Sequence, residues 1–191
     1  MEITNHFRQR YPFLSDEDML LMVNRARPVK LKKGEVFAQM GTTSKRAGVL
    51  LSGTMRYYHI REDGTDVTVF FRYENTFVAP LEPIFLNEPS KYVIEALEPC
   101  FILCFEYDEF EELMQSNVRL MRAFGKTLAE ALALMLDRVN SLITEKPEDR
   151  YKRFLKERAF LINRIPQKYI ASFLGITPVS LSRLRARMSK G

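Results

Sequence analysis

The chain is short of the residues that hold metals and disulfides: 191 residues include two cysteines and two histidines. Two thiols cannot build a disulfide framework or a four-cysteine metal site. Cys100 and Cys104 lie in the run Pro99-Cys100-Phe101-Ile102-Leu103-Cys104-Phe105, which reads as a buried strand. Residues four apart on a strand share a face, so both are expected in the core. His6 and His59 are far apart in sequence, so a histidine-rich metal site is not expected. His59 ends the run Met55-Arg56-Tyr57-Tyr58-His59 and is expected on a sheet surface. No spacing singles out a metal cluster or a nucleophile with a base, so no catalysis, metal or cofactor is expected.

Long apolar runs are also missing. None approaches the ~20 residues that span a bilayer. The start, Met1 to His6, lacks the basic-then-apolar layout of a signal peptide. The expectation is a soluble, cytoplasmic protein with no membrane partner. Internal repeats and low-complexity segments are absent, and 46% hydrophobic residues suffice for a packed core.

Acidic residues are missing from the end of the chain, where none follows Glu157. From Glu145 onward there are 12 basic and 4 acidic side chains, against 17 and 20 before it. A near-neutral front and a basic tail suggest a sensor or scaffold followed by a polyanion-binding end.

What is present falls into three stretches. Residues 1–27 read as helical, with Ser15 as a cap and Asp16, Glu17 and Asp18 in the first turn. From Pro28 to about Tyr107 short strands alternate with glycine turns, including an Asp63-Gly64 hairpin, which indicates a small β-barrel or sandwich. Residues 79–90, richer in proline, read as an irregular insertion or short helix. Beyond Tyr107 the pattern is helical. Val118, Met121, Gly125, Leu128, Leu132, Met135, Val139 and Leu142 form a heptad seam. Leu120, Phe124, Ala131 and Leu134 form a second stripe. One stripe is expected to pack on the strands and the other on a second copy. A helix over 148–162 follows.

The end of the chain has the layout of a helix-turn-helix. Pro166 can open a first helix, Ala171 is small where a second helix must cross, and Gly175 suits a left-handed helix end. Thr177 then caps a second helix with Pro178 at its first position. Leu181, Leu184 and Met188 share its inner face; Ser180, Arg183 and Arg187 share another. The residues expected to meet DNA are Gln167, Lys168, Thr177, Pro178, Val179, Ser180, Ser182, Arg183 and Arg187. Those near the second helix's N-terminus are the ones such a helix shows to base edges.

These pieces, with Lys33-Gly34-Glu35-Val36-Phe37 and Val49-Leu50-Leu51-Ser52-Gly53-Thr54-Met55-Arg56, make the chain resemble the Crp/Fnr family of bacterial transcription regulators. The resemblance implies an α+β fold with a cyclic-nucleotide-binding-type, cupin-like β-roll over 1–116. It also implies a dimerisation helix over 117–144 and a DNA-binding domain over 145–191. The chain stops at Gly191, so no terminal wing is expected. Cyclic-nucleotide-binding members carry a Gly-Glu pair and an Arg-Ser pair where this chain has Ala79-Pro80 and Ser90-Lys91. These four residues are the expected effector site, and cyclic AMP is not the expected effector. Lys91, Arg72 and Arg56 are the cations considered for an anionic effector, each expected more often at the surface. The family's oxygen sensors use four cysteines for an iron–sulfur cluster, which two cannot supply, and two separated histidines give a haem no support. Expected partners are double-stranded DNA, a second copy, RNA polymerase and an unidentified small molecule. The alternative is a sensing module with weak or indirect DNA binding.

Overall fold

The computed structural model describes residues 10–188. The helical expectation for residues 1–9, and the last three residues of the basic tail, lie outside the described residues. Of the helix expected over 1–27, the described residues contain a turn between Tyr11 and Ser15 and then α1 (Asp16–Arg25), which ends two residues short of the expected bound. Ser15 Oγ accepts from the Asp18 amide at 3.2 Å, and the Asp18 carboxylate accepts from the Ser15 amide at 2.8 Å. This reciprocal pair satisfies two amides that a helix start leaves unpaired.

The strands are β1 (Arg27–Leu31), β2 (Val36–Ala38), β3 (Arg46–Ser52), β4 (Met55–Ile60), β5 (Asp66–Arg72), β6 (Thr76–Val78), β7 (Val93–Ala96) and β8 (Cys100–Glu106). They form two four-stranded antiparallel sheets, ordered β1-β8-β3-β6 and β2-β7-β4-β5. Leu50, Met55, Val78, Ile94 and Ile102, all essentially inaccessible, fill the core with Cys100 and Cys104. Burial pushes the Cys100 thiol up to about 11. The backbone passes so close at Gly53 that a Cβ there would lie 2.5 Å from the Cys100 sulfur, and its φ of +101° excludes most L residues anyway. Residues 79–90 contain a π-helical turn, Glu82–Leu86.

Two helices follow the last strand and pack on the sheets, α2 (Tyr107–Ser116) and the long α3 (Val118–Thr144). Asn117 caps α3 and donates to buried Asp18, to which Arg119 adds two more bonds at 2.6 and 3.0 Å. These partners hold the Asp18 carboxyl far below its ordinary range. The tail is α4 (Pro147–Arg158), a 3-10 turn at Ala159–Leu161, α5 (Gln167–Leu174) and α6 (Pro178–Met188). The helix expected over 148–162 thus starts one residue earlier and tightens into the 3-10 turn.

Candidate nucleic-acid interface and sensor cleft

The helix pair α5–α6 is built by local signals. Gly175 ends α5 in the left-handed conformation, φ +70°. Pro166 takes the cap position, one residue before the first helical position. Thr177 Oγ1 accepts from the Ser180 amide at 3.1 Å, and Pro178 opens α6. Ala171, Leu174, Leu181 and Leu184 are buried between the helices, and Met188 packs against them.

The opposite faces are open. Gln167, Lys168, Thr177, Pro178, Val179, Ser180, Ser182, Arg183 and Arg187 are all exposed. Arg183 makes no ion pair among the described residues, while Arg187 reaches Glu148 only at 4.0 Å. The Ser180 hydroxyl lies 2.9 Å from Thr177 Oγ1. Arg185, which the spacing did not single out, is half-buried on the same helix.

The pair is anchored from both sides. Arg138 of α3 donates to the Phe173 carbonyl, and Arg150 of α4 donates to the Leu174 carbonyl at 3.0 Å. These are carbonyls the end of α5 leaves without intrahelical partners. Burial, and the neighbouring Arg150, Arg158 and Arg153, draw the Arg138 guanidinium down to about 10. From the sheet, Phe71 packs on Phe173 with ring centroids 5.2 Å apart, and Ser172 Oγ accepts from the Thr68 amide at 2.9 Å. Arg164 bridges Glu74 at 2.5 Å and Glu98 at 2.6 Å. Arg56 is buried, contrary to expectation, and pairs with Asp66 and Glu95, each at 2.9 Å. A register shift between Tyr57 and Tyr58 leaves Val69 of β5 unpaired, between the Thr68 amide and the Phe71 ring that meet α5.

The other face of β5 borders a cleft enclosing about 950 Å³, open mouth included, between the second sheet, the π-helical turn and α3. Ala79, Pro80 and Ser90 line it. Lys91 does not. It points outward and pairs with Glu88 at 3.2 Å, because its neighbour Ser90 takes the inward position. Ser90 Oγ donates to the Tyr92 carbonyl at 2.9 Å. The charged groups that do line the cleft are Arg72, Glu82, Arg10 and Glu130. Of these, only Arg72 is among the cations expected from the sequence. Glu82, the single acid in Ala79-Pro80-Leu81-Glu82-Pro83, was the available signal.

The α3 stripes divide. Leu120 is buried against the sheets and Phe124 packs there, while Ala131 and Leu134 roof the cleft. In the heptad seam, Val118, Met121, Leu132, Val139 and Leu142 are exposed, Val118 by 83%. Gly125 has open space around it. Leu128 and Met135 also line the cleft.

Residues 28–117 match the cyclic nucleotide-binding domain family. This stretch is similar to cyclic nucleotide-binding domains. No curated protein sequence matches the chain. Among solved structures, the c-di-GMP responsive global regulator CLP of Xanthomonas campestris is similar at 12% identity and a TM-score of 0.76, over 92% of each chain. FixK2 of Bradyrhizobium japonicum is similar at 16% identity and a TM-score of 0.76, covering 86% of this chain and 85% of its own. A Crp/Fnr-family transcriptional regulator from Eubacterium rectale is similar at 15% identity and a TM-score of 0.72, covering 95% and 87%. The two sheets and the helices after them therefore share the Crp/Fnr fold. Among the described residues, no helix is long and apolar enough to cross a membrane.

Proposed function

We propose that the chain is a sequence-specific, DNA-binding transcription regulator that acts as a homodimer in the cytoplasm. The observation that carries this reading is the α5–α6 pair, with a packed inner face and an open, basic outer one. Val179, Ser180 and Arg183 near the start of α6 are suited to base edges: an apolar contact, a hydroxyl and a guanidinium. Gln167 and Lys168, at the start of α5, are suited to phosphates. Residues 1–116 form the sensor, 117–144 the dimerisation helix and 145–191 the DNA-binding domain, with RNA polymerase a further partner. The exposed seam of α3 supports the dimer, since an apolar stripe this long is costly in water.

Cyclic AMP is not the effector in this reading. Pro80 offers no side-chain acceptor for a ribose hydroxyl. Ser90 spends its hydrogen on Tyr92, and Lys91 is outside the cleft.

Selection of bound duplexes from a random DNA pool tests the proposal. The expected product is a two-fold-related site with half-sites about 34 Å apart, one helical turn. No enrichment over input would leave a sensing module without specific DNA binding.

A further inference from the structure

We infer that Arg72 and Glu82 form a two-point site for a small zwitterion, a molecule carrying an ammonium and a carboxylate on an apolar body. The inference rests on the reading of the cleft as the sensor site. Arg72 enters from β5 and Glu82 from the π-helical turn, and both line the same cleft. Arg72 Nε and Glu82 Oε2 are buried without any hydrogen-bond partner, and Glu82 is only 8% exposed. Neither joins an ion pair among the described residues. A buried donor or charge left unpaired is destabilising, so a cleft holding one of each sign is suited to a ligand that supplies both partners.

The neighbouring groups do not neutralise either charge. The Tyr57 hydroxyl is within hydrogen-bond reach of the Arg72 guanidinium but is neutral, and it is also bound to the Ala79 carbonyl at 3.2 Å and the Ala79 amide at 2.9 Å. Arg10 and Glu130 bind each other at 2.5 Å. The charge left over is one guanidinium and one carboxylate. A ligand with only a carboxylate satisfies Arg72 and faces Glu82 with like charge. An amine satisfies Glu82 and faces Arg72. A cyclic nucleotide brings an anion and no cation. Phe70, Phe77, Leu128, Ala131, Leu134 and Met135 make the rest of the wall apolar, so the body between the charged groups is an aromatic ring or a branched alkyl chain.

Titration calorimetry on the full chain tests this with four probes. L-phenylalanine and the dipeptide Leu-Phe are zwitterions with different charge separations; 3-phenylpropionate and phenethylamine each keep one charge. At least one zwitterion is expected to bind about tenfold or more tightly than either single-charge probe. Arg72→Gln should abolish its advantage over phenethylamine, and Glu82→Gln its advantage over phenylpropionate. Circular dichroism melts establish that each variant is folded, and the wild-type series decides the matter if either is not. Equal binding of a single-charge probe, no saturation by either zwitterion at millimolar concentration, or folded variants with unchanged affinity would each overturn the inference. The random-pool DNA selection, run on the same preparation, separates the two readings. An enriched operator without zwitterion binding removes only the ligand assignment, and zwitterion binding without an enriched operator removes only the DNA reading.

Discussion

The guanidinium of Arg56 lies 3.6 Å from the centroid of the Tyr169 ring, with the Tyr58 ring 3.9 Å away. Arg56 belongs to β4 and Tyr169 to α5, so this contact fastens the first helix of the α5–α6 pair to the sheet that also walls the cleft. Replacing Tyr169 by Leu keeps an apolar side chain and removes the ring. It should lower stability by about 0.5–2 kcal/mol, the range of a cation–π contact. Denaturant unfolding measures it, and an unchanged midpoint would mean the contact contributes nothing.

Arg183→Ala should weaken operator binding by about 1–3 kcal/mol and relax sequence preference at the base it reads. Lys168→Ala should instead weaken all sequences alike and reduce the slope of log affinity against log salt by about 1. Fluorescence anisotropy over a salt series distinguishes the two. If both variants behave alike, the division into base-reading and phosphate-binding residues is wrong.

Leu132 is 60% exposed in the middle of the α3 seam. In the proposed dimer, Leu132→Glu would place two carboxylates in an apolar interface. Sedimentation velocity should show the variant as a monomer at concentrations where the parent is a dimer. A variant of parental mass would relocate the interface.

Asp18 gives the protein an acid-sensitive joint between α1 and α3. Its carboxyl is held well below the ordinary 3.8, first by Arg119 and then by the Ser15 amide and Asn117, against the opposing effect of burial. A carboxyl whose folded pKa is depressed stabilises the fold fully above the unfolded value and progressively less as pH falls below it. Melting temperatures should therefore drop between about pH 5 and 2, and Asp18→Asn should flatten that limb. Ser15→Ala, which removes the reciprocal cap, should cost about 1 kcal/mol at neutral pH.

Cys100 and Cys104 are buried, and desolvation raises both thiols, Cys100 to about 11. The thiolate is the reactive form. A thiol reagent at neutral pH should label neither cysteine in the native protein and both in denaturant. Rapid native labelling would indicate that the sheets open.

Much of this was legible because the signals are local. The cap at Ser15, the Asp63-Gly64 hairpin, the left-handed Gly175 and the Thr177-Pro178 start each depend on a few neighbouring residues, and each acts as its chemistry requires. Pro166 falls one position short because a helix cap and a first helical turn both accept proline's fixed φ. The cleft was less legible. Ser90 and Lys91 are adjacent on the chain, yet one is buried and the other paired outside, because consecutive residues of extended backbone point opposite ways.

The sequence by itself determined the kinds and order of elements, the buried cysteines and the open basic face of α6, since periodicity, caps and charge counts act over a few residues. Tertiary structure alone decided that Arg56 is buried against Tyr169, that Leu128 and Met135 face the cleft as well as the seam, and that Arg72 and Glu82 share it unpaired. Those outcomes depend on how β5, the π-helical turn, α3 and α5 pack against one another, and contacts between distant segments leave no period in the chain.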